Sequence, residues 1–495
     1  MILRRSSAPL AALLLTAGLA LSGCVAGPNY KRPAALAPSA ANSGAPALPT
    51  AFKELPPPSP PNGTWKQAQP ADANLKGNWW EVYHDPQLNS LEEKVAVSNQ
   101  TLKAAYEQYL QAREQVKVAR ANYYPTLSAG PSFSRQKYSA NEPSITTGRT
   151  YSTYAIQGQV AWEPDLWGQI RRTVEQSRAN AQASAADLAN VDLSVRSELA
   201  EDYFEMRGLD LQKKLLDDTI QSDSDYLDLT KTRFQGGVAT DVDVAQAQTE
   251  LDTVTAQDID VGVARAQFEH AIATLIGTPA SSFSLAFAPL TLDLPAIPAG
   301  VPSELLERRP DISGAERRTQ AANAQIGIAI AAYYPNVQLG GSGGFESQNA
   351  GTWVQGPSSM WSLGGSAVEL LFDAGRRHAL TNQAREAYEG QTANYRQSVL
   401  NAFQEVEDNL AALRILNDES QAQTRAVDSA KHSLQLSTNR YKGGVTTYLE
   451  VLTAQTTQLS NEVTQANITT RQFAASVQLI KALGGGWNTS QLPNF

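Results

Sequence analysis

The 495-residue chain has little of what usually announces catalysis. It holds one cysteine, Cys24, so no intrachain disulfide can form. Its four histidines, His84, His270, His378 and His432, are scattered, and none stands at ligand spacing from another, which argues against a zinc site. No glycine-rich phosphate loop of the kind a motor subunit needs occurs. One match to the G-x-S-x-G nucleophile pattern, Gly340-Gly-Ser342-Gly-Gly344, lies inside an alternating stretch rather than between a strand and a helix. No acid or base partner is indicated for it. The reading is therefore no enzyme, no cofactor and no metal. No run approaches the roughly 20 consecutive apolar residues of a spanning helix. A formal charge of −9 argues against nucleic acid as a partner.

Proline is absent where its absence says most. None occurs from Asp165 to Thr278 or from Ser358 to Leu492. A proline inside a helix costs about 3 kcal/mol or more, so these Ala-, Gln-, Glu- and Leu-rich tracts predict very long helices. From Gln169 to Phe234, and again from Arg376 to Tyr441, a helix would be roughly 100 Å long at about 1.5 Å per residue. In 449–480, Leu449, Leu452, Thr456, Leu459, Val463, Ala466, Thr470, Phe473, Val477 and Ile480 follow alternating steps of three and four. Such a stripe is the seam of a coiled-coil-like contact. Val244, Ala247, Leu251, Val254, Val261, Phe268, Ile272 and Leu275 form a matching one, broken by Asp258 and Arg265.

Proline is dense between Val25 and Pro70, which reads as an extended linker. Ahead of it, Arg4 and Arg5 precede an apolar run from Ala8 to Leu21 of signal-peptide length. The run closes on Leu21-Ser22-Gly23-Cys24, which resembles a bacterial lipobox. That resemblance implies cleavage before Cys24, lipidation of its thiol and acylation of its new amine. Several acyl chains anchor stably where one does not. Val25, not Asp, follows the cysteine; the lipoprotein sorting pattern this resembles then favours the outer membrane. Losing Arg4 and Arg5 moves the formal charge from −9 to −11.

The chain also repeats itself. RFQGGVATDVDVAQAQ at 233–248 returns as RYKGGVTTYLEVLTAQ at 440–455, and Ala121-Asn-Tyr-Tyr-Pro125 returns as Ala331-Ala-Tyr-Tyr-Pro335. The reading is two copies of one unit, about 86–278 and 304–484, joined by a proline-containing crossover over 279–302. The expected divisions are a signal peptide over 1–23, a lipidated linker over 24–75, a first repeat with crossover over 76–303, and a second repeat with its tail over 304–495.

After each Tyr-Tyr-Pro the period changes to two. TLSAGPSFS from Thr126, YAIQGQVAW from Tyr154 and NVQLGGSGGF from Asn336 each separate an apolar from a small, polar face. A fourth candidate, Trp361 to Phe372, alternates less cleanly. These strands suit either surface hairpins or an outer-membrane barrel. In lipid a sheet must close to pair its edges, and the smallest such barrels have about eight strands. Membrane insertion would then require oligomerisation, with two, three or four chains all open. Tyr123-Tyr124 and Tyr333-Tyr334, where helix becomes strand, suit an interfacial aromatic belt or packing at a helix end.

Gly77-Asn-Trp-Trp80 with Asp85-Pro86, Glu307-Arg-Arg-Pro-Asp311, Tyr333-Tyr-Pro335, Phe372-Asp-Ala-Gly-Arg376, the two Gly-Gly-Val turns and Ala482-Leu-Gly-Gly-Gly-Trp487 occur in an order and spacing that spans about 76–487. Together they resemble the lipoprotein branch of the TolC-like outer-membrane efflux proteins. The resemblance implies an α+β membrane protein with a twofold internal repeat, each copy giving two transmembrane strands and long coiled-coil-like helices. It implies a homotrimer whose twelve-stranded β-barrel continues as a periplasmic α-helical barrel. It implies a passive exit duct for small molecules, served by a periplasmic adaptor and an inner-membrane RND-type transporter. The other readings are a duct for protein secretion or metal-ion export, and a non-conducting, lipid-anchored coiled-coil scaffold.

The echoed turns read as stop, turn, restart. Gly236-Gly237 and Gly443-Gly444 suit helix C-termini that need a left-handed residue. Lys231, Arg233, Arg440 and Lys442 in the preceding turns favour the helix dipole. Thr240-Asp-Val-Asp243 and Thr447-Tyr-Leu-Glu450 both fit the capping box. The resemblance implies that this is the periplasmic tip, where Asp243, Tyr441, Leu449 and Glu450 would constrict the closed pore. The alternative is that Asp243 and Glu450 only cap helices. Thr446 stands where some members of that family carry an arginine, and Thr453 where many carry an aspartate.

Overall fold

Two proline-free tracts set the longest elements of the chain. In the computed structural model, which describes residues 25–36, 49, 51–54, 77–141, 148–297 and 304–495, they are α3 (Gln169–Gln235) and α7 (Arg376–Lys442), of 67 residues each. Each is followed by a 35-residue partner, α4 (Asp241–Leu275) and α8 (Tyr448–Ala482). Ahead of them stand α1 (Pro86–Ser98) and α2 (Gln100–Ala121), and, in the second half, the four-residue α5 (Leu305–Arg308) and α6 (Pro310–Ala331). Between α2 and α3 lie β1 (Thr126–Lys137) and β2 (Thr150–Trp162), and between α6 and α7 lie β3 (Asn336–Ser347) and β4 (Ser359–Val368). The fourth strand is shorter than expected: it stops at Val368, short of Phe372, and the chain then bends to start α7.

Both long helices begin by one device. A left-handed glycine, Gly168 at φ 82° and Gly375 at φ 86°, precedes the first turn. An aspartate just upstream then takes the free amides. Asp165 accepts from the N–H of Ile170 at 3.0 Å and of Arg171 at 2.9 Å, and Asp373 from those of Gly375 and Arg377 at 3.0 Å each. An acidic side chain satisfies the orphan donors there and complements the helix dipole.

Helix α3 is the hub, packing on α2, α4, α6 and α8, while α7 packs on α6 and α8. The breaks in the α4 stripe are ion pairs across to α3. Asp258 takes Lys213 at 2.7 Å, and Arg265 takes the fully buried Asp210 at 2.6 Å. Arg207 joins Asp210 at 2.9 Å and donates to the Ala286 carbonyl at 2.7 Å; the Ala288 N–H reaches Asp210 at 3.0 Å. This network straps the crossover onto a waist core that includes Trp79, Tyr83, Phe204 and Phe473. The described part of the proline-rich leader is likewise docked rather than free. Arg172 holds the Ala26 carbonyl at 3.0 Å, and Tyr30 donates to Glu316 at 2.6 Å.

The four strands form one antiparallel sheet in the order β1-β2-β3-β4. Rows across the sheet keep their character. Leu127, Val160, Gly341 and Leu363 align on one face, and Ser128, Gln159, Ser342 and Ser362 on the other. Leu127, Phe133, Ile156, Val160, Trp361 and Leu363 are exposed. That apolar face is ready for hydrocarbon, and roughly 12 residues at about 3.3 Å, tilted as barrel strands are, span about 30 Å. The tyrosine pairs serve at the helix ends: Trp167 stacks on Tyr334 at 4.9 Å, and Trp162 donates to the Tyr123 carbonyl at 3.0 Å.

One glycine fixes the approach of α3 to α8. A Cβ on Gly208 would lie 2.1 Å from Thr470 Oγ1. Gly208→Val should therefore destabilise the seam by on the order of 1–3 kcal/mol through overpacking. Protease resistance and thermal midpoint of the detergent-purified protein report it; wild-type values would contradict it.

Candidate functional site at the hairpin tips

Each echoed segment forms the hairpin end that its residues call for. Gly237 at φ 72° and Gly444 at φ 74° take the left-handed position; Gly236 and Gly443 stay near helical values. The amides then reach back in the two-bond pattern of a glycine-terminated helix: Val238 to Arg233 O at 2.9 Å and Gly237 to Phe234 O at 2.9 Å, with Val445 to Arg440 O and Gly444 to Tyr441 O both at 3.0 Å.

The restarts differ. At α4 the capping box is complete. The Asp243 N–H donates to Thr240 Oγ1 at 3.3 Å, and Asp243 Oδ2 accepts from the Thr240 N–H at 2.9 Å. At α8 the expected box does not form, because Thr447 makes no side-chain cap. Glu450 instead turns back to the end of α7, where Arg440 stands 3.3 Å away. With both side chains about half-exposed, that pair contributes little to stability. So Asp243 is committed to capping, and Glu450 is not.

Tyr441 points inward rather than to the surface. It is 3% exposed and sits in a core between the two hairpins with Leu227, Ala247, Tyr448 and Val451. Its ring meets Tyr448 edge-on at 5.7 Å, and its hydroxyl lies 3.2 Å from Thr230 Oγ1. Leu449 is exposed, because the buried stripe of α8 shifts by one residue near the tip: Tyr448, Val451 and Gln455 are buried where Leu449, Leu452 and Thr456 were expected. From Leu459 onward the expected stripe faces inward, with Val463 half-buried. The shift arises because this end of α8 must cover the α3–α4 hairpin as well as α7. Leu449 and Glu450 thus share an exposed surface; among the described residues no hydrogen bond or ion pair joins Asp243 to Glu450.

The residue that sequence reading undervalued is Arg233. Beyond favouring its own helix dipole, it lies over the Tyr441 ring at 4.5 Å and donates to the Tyr441 carbonyl at 2.7 Å. It therefore caps the end of the other hairpin. No local spacing signals this, since the partners are far apart in the chain.

Comparison with known proteins gives this geometry a family. The sequence profile described as "Outer membrane efflux protein" matches residues 91–278 and 301–485. The chain belongs to the outer membrane efflux protein family. The solvent efflux pump outer membrane protein SrpC of Pseudomonas putida is 31% identical over 486 residues, covering 98% of this chain and 99% of that one. The probable efflux pump outer membrane protein TtgC of Pseudomonas putida is 31% identical over 435 residues, covering 86% and 89%. The solved outer-membrane channel OprN superposes with a TM-score of 0.80 at 29% identity, covering 94% and 100%. As an outer membrane efflux protein the chain is a passive exit duct with a large periplasmic extension, and it is not an enzyme.

The unequal caps give a direct test. Thr240→Ala should cost about 1 kcal/mol at the start of α4, whereas Thr447→Ala should cost little. Hydrogen exchange of the first turns of α4 and α8 reads both, and equal effects would contradict the assignment.

Proposed function

We propose that three copies assemble into a twelve-stranded barrel continued by a helical tunnel, which exports small molecules handed to its tip. The carrying observation is the open sheet. Among the described residues β1 and β4 each lack an outer partner, while the exposed face is apolar. In lipid those edges need neighbouring copies. A periplasmic adaptor would grip the tips, and an inner-membrane RND-type transporter would supply the energy. The exposed Val238, Val242, Val445 and Leu449 offer apolar contact there. The name of SrpC, a solvent efflux component, supports a small-molecule cargo.

Leu449 and Glu450 are the proposed constriction, with Asp243 at the start of α4 and Tyr441 near the end of α7 as its further members. Replacing Asp243 and Glu450 together with alanine should raise single-channel conductance in a planar bilayer and weaken cation preference. Unchanged conductance and preference would sink the gate. A duct for protein or metal ions would instead show a secretion or metal phenotype on deletion, and a scaffold would not conduct at all.

Cys24 lies outside the described residues; its lipidation and the removal of 1–23 are part of this proposal. Their support is local. The Ala26 N–H donates to the Trp167 carbonyl at 3.0 Å, and Val25 packs against Gly168, directly after β2 ends. An anchor at the preceding residue would begin beside the barrel base. Intact mass spectrometry should find acyl mass on the wild type and none on Cys24→Ser; a wild type without that mass would exclude the anchor.

A further inference from the structure

Behind the tip, α3 turns an aspartate toward α8. Asp223 is 1% exposed, and Gln455 of α8, itself 5% exposed, donates Nε2–H to Asp223 Oδ1 at 2.8 Å. Two buried atoms are left without a partner, Asp223 Oδ2 and Gln455 Oε1. Both are acceptors while the carboxyl is ionised, so neither can satisfy the other. A buried acceptor left unpaired carries its full desolvation penalty. One proton removes both orphans: on Oδ2 it makes a donor for the amide oxygen and closes a two-bond ring between acid and amide.

We propose that Asp223 and Gln455 form a proton-operated latch between the two hairpins, closed on α3 and α8 when Asp223 is protonated and released when it ionises. This rests on the duct reading for its consequence, the width of the tip, but not for the chemistry of the pair.

The surroundings favour the proton. From α4, Glu250 faces Asp223; it accepts from Thr456 Oγ1 at 3.1 Å. From α8, Tyr448 is fully buried with its hydroxyl unpartnered. On α3 itself Tyr226 bonds Thr438 of α7 at 2.9 Å, and Tyr441 of α7 stands beyond Tyr448. Among the described residues no lysine or arginine acts on Asp223. Burial first, then repulsion from Glu250, push its carboxyl up to about 7, against the opposing bond from Gln455. The folded chain thus holds this proton more tightly than the unfolded chain, whose ordinary value is 3.8. The latch contributes fully below that value, weakens as pH rises from there, and is lost once pH passes about 7. Ionised, Asp223 leaves two unpaired acceptors between α3 and α8, which loosens the contact between the hairpins, and adds a charge beside Glu250 within its own hairpin.

The test uses full-length protein in planar bilayers at about pH 5.5 and about pH 8.5, either side of the titration. Wild-type conductance should rise severalfold at the higher pH. Asp223→Asn keeps the two-bond ring at every pH, through Nδ2–H to Gln455 Oε1, and should hold the low-pH conductance at both. An Asp223→Asn channel that keeps the wild-type response overturns the latch. So does a conducting wild type with no response, or a response that follows sodium concentration at fixed pH, which would assign the site to a cation. A wild type that never conducts counts instead against the duct. Should the variant not assemble, or the wild type not conduct, hydrogen exchange of wild-type peptides around Asp223 and Gln455 decides. Their protection, corrected for intrinsic rate, should fall as pH passes the titration, and a constant protection overturns the proposal.

Discussion

A backbone in hydrocarbon must pair every N–H and C=O within protein, and four strands cannot do that alone. The rest of the architecture follows from this limit. Each repeat supplies one hairpin, and the repeats meet in the lipid-facing layer where β2 pairs with β3, Gly158 opposite Gly343. The outer edges of β1 and β4 stay open for other copies. Because β2 runs into α3 and β4 into α7, the helices inherit their placement from the strands. The Asp165 and Asp373 caps make that hand-over sharp.

Duplication gave two units whose long helices match in length, yet the units do different work. Helix α3 is the hub, while α7 packs mainly on α6 and α8 and meets α3 near the tip, through Tyr226, Thr230 and Arg233. Burial of α3 on several sides explains its unusual polar interior. Asp210 holds two arginines and the crossover, and Asp223 meets Gln455. The same asymmetry reaches the tips. Arg233 reaches across to Tyr441, while its counterpart Arg440 turns outward to Glu450. The Thr-x-x-acid pattern that is a cap in one copy is therefore an arginine-paired carboxylate and a bare threonine in the other.

Much of the fold was legible because it is written in local terms. Missing proline, the period of three and four, the period of two after each Tyr-Tyr-Pro and the Gly-Gly turns are properties of neighbouring residues, and they yielded helices, strands and turns within a few positions. The α8 stripe held from Leu459 onward for the same reason. Its slip at Leu449, Leu452 and Thr456, the burial of Tyr441 and the reach of Arg233 were not legible. Each depends on which helices flank α8 and α7 at that height.

The sequence by itself determined the elements, the twofold repeat, the apolar strand face and the family, since each rests on residue type and spacing along the chain. Only the tertiary structure decided which carboxylates are spoken for. Asp243 bonds its own turn, Glu450 an arginine on the helix before it, and Asp223 an amide 232 positions away. All three are acids on long helices. What separates them is the partner that packing delivers, and packing joins residues the chain keeps apart.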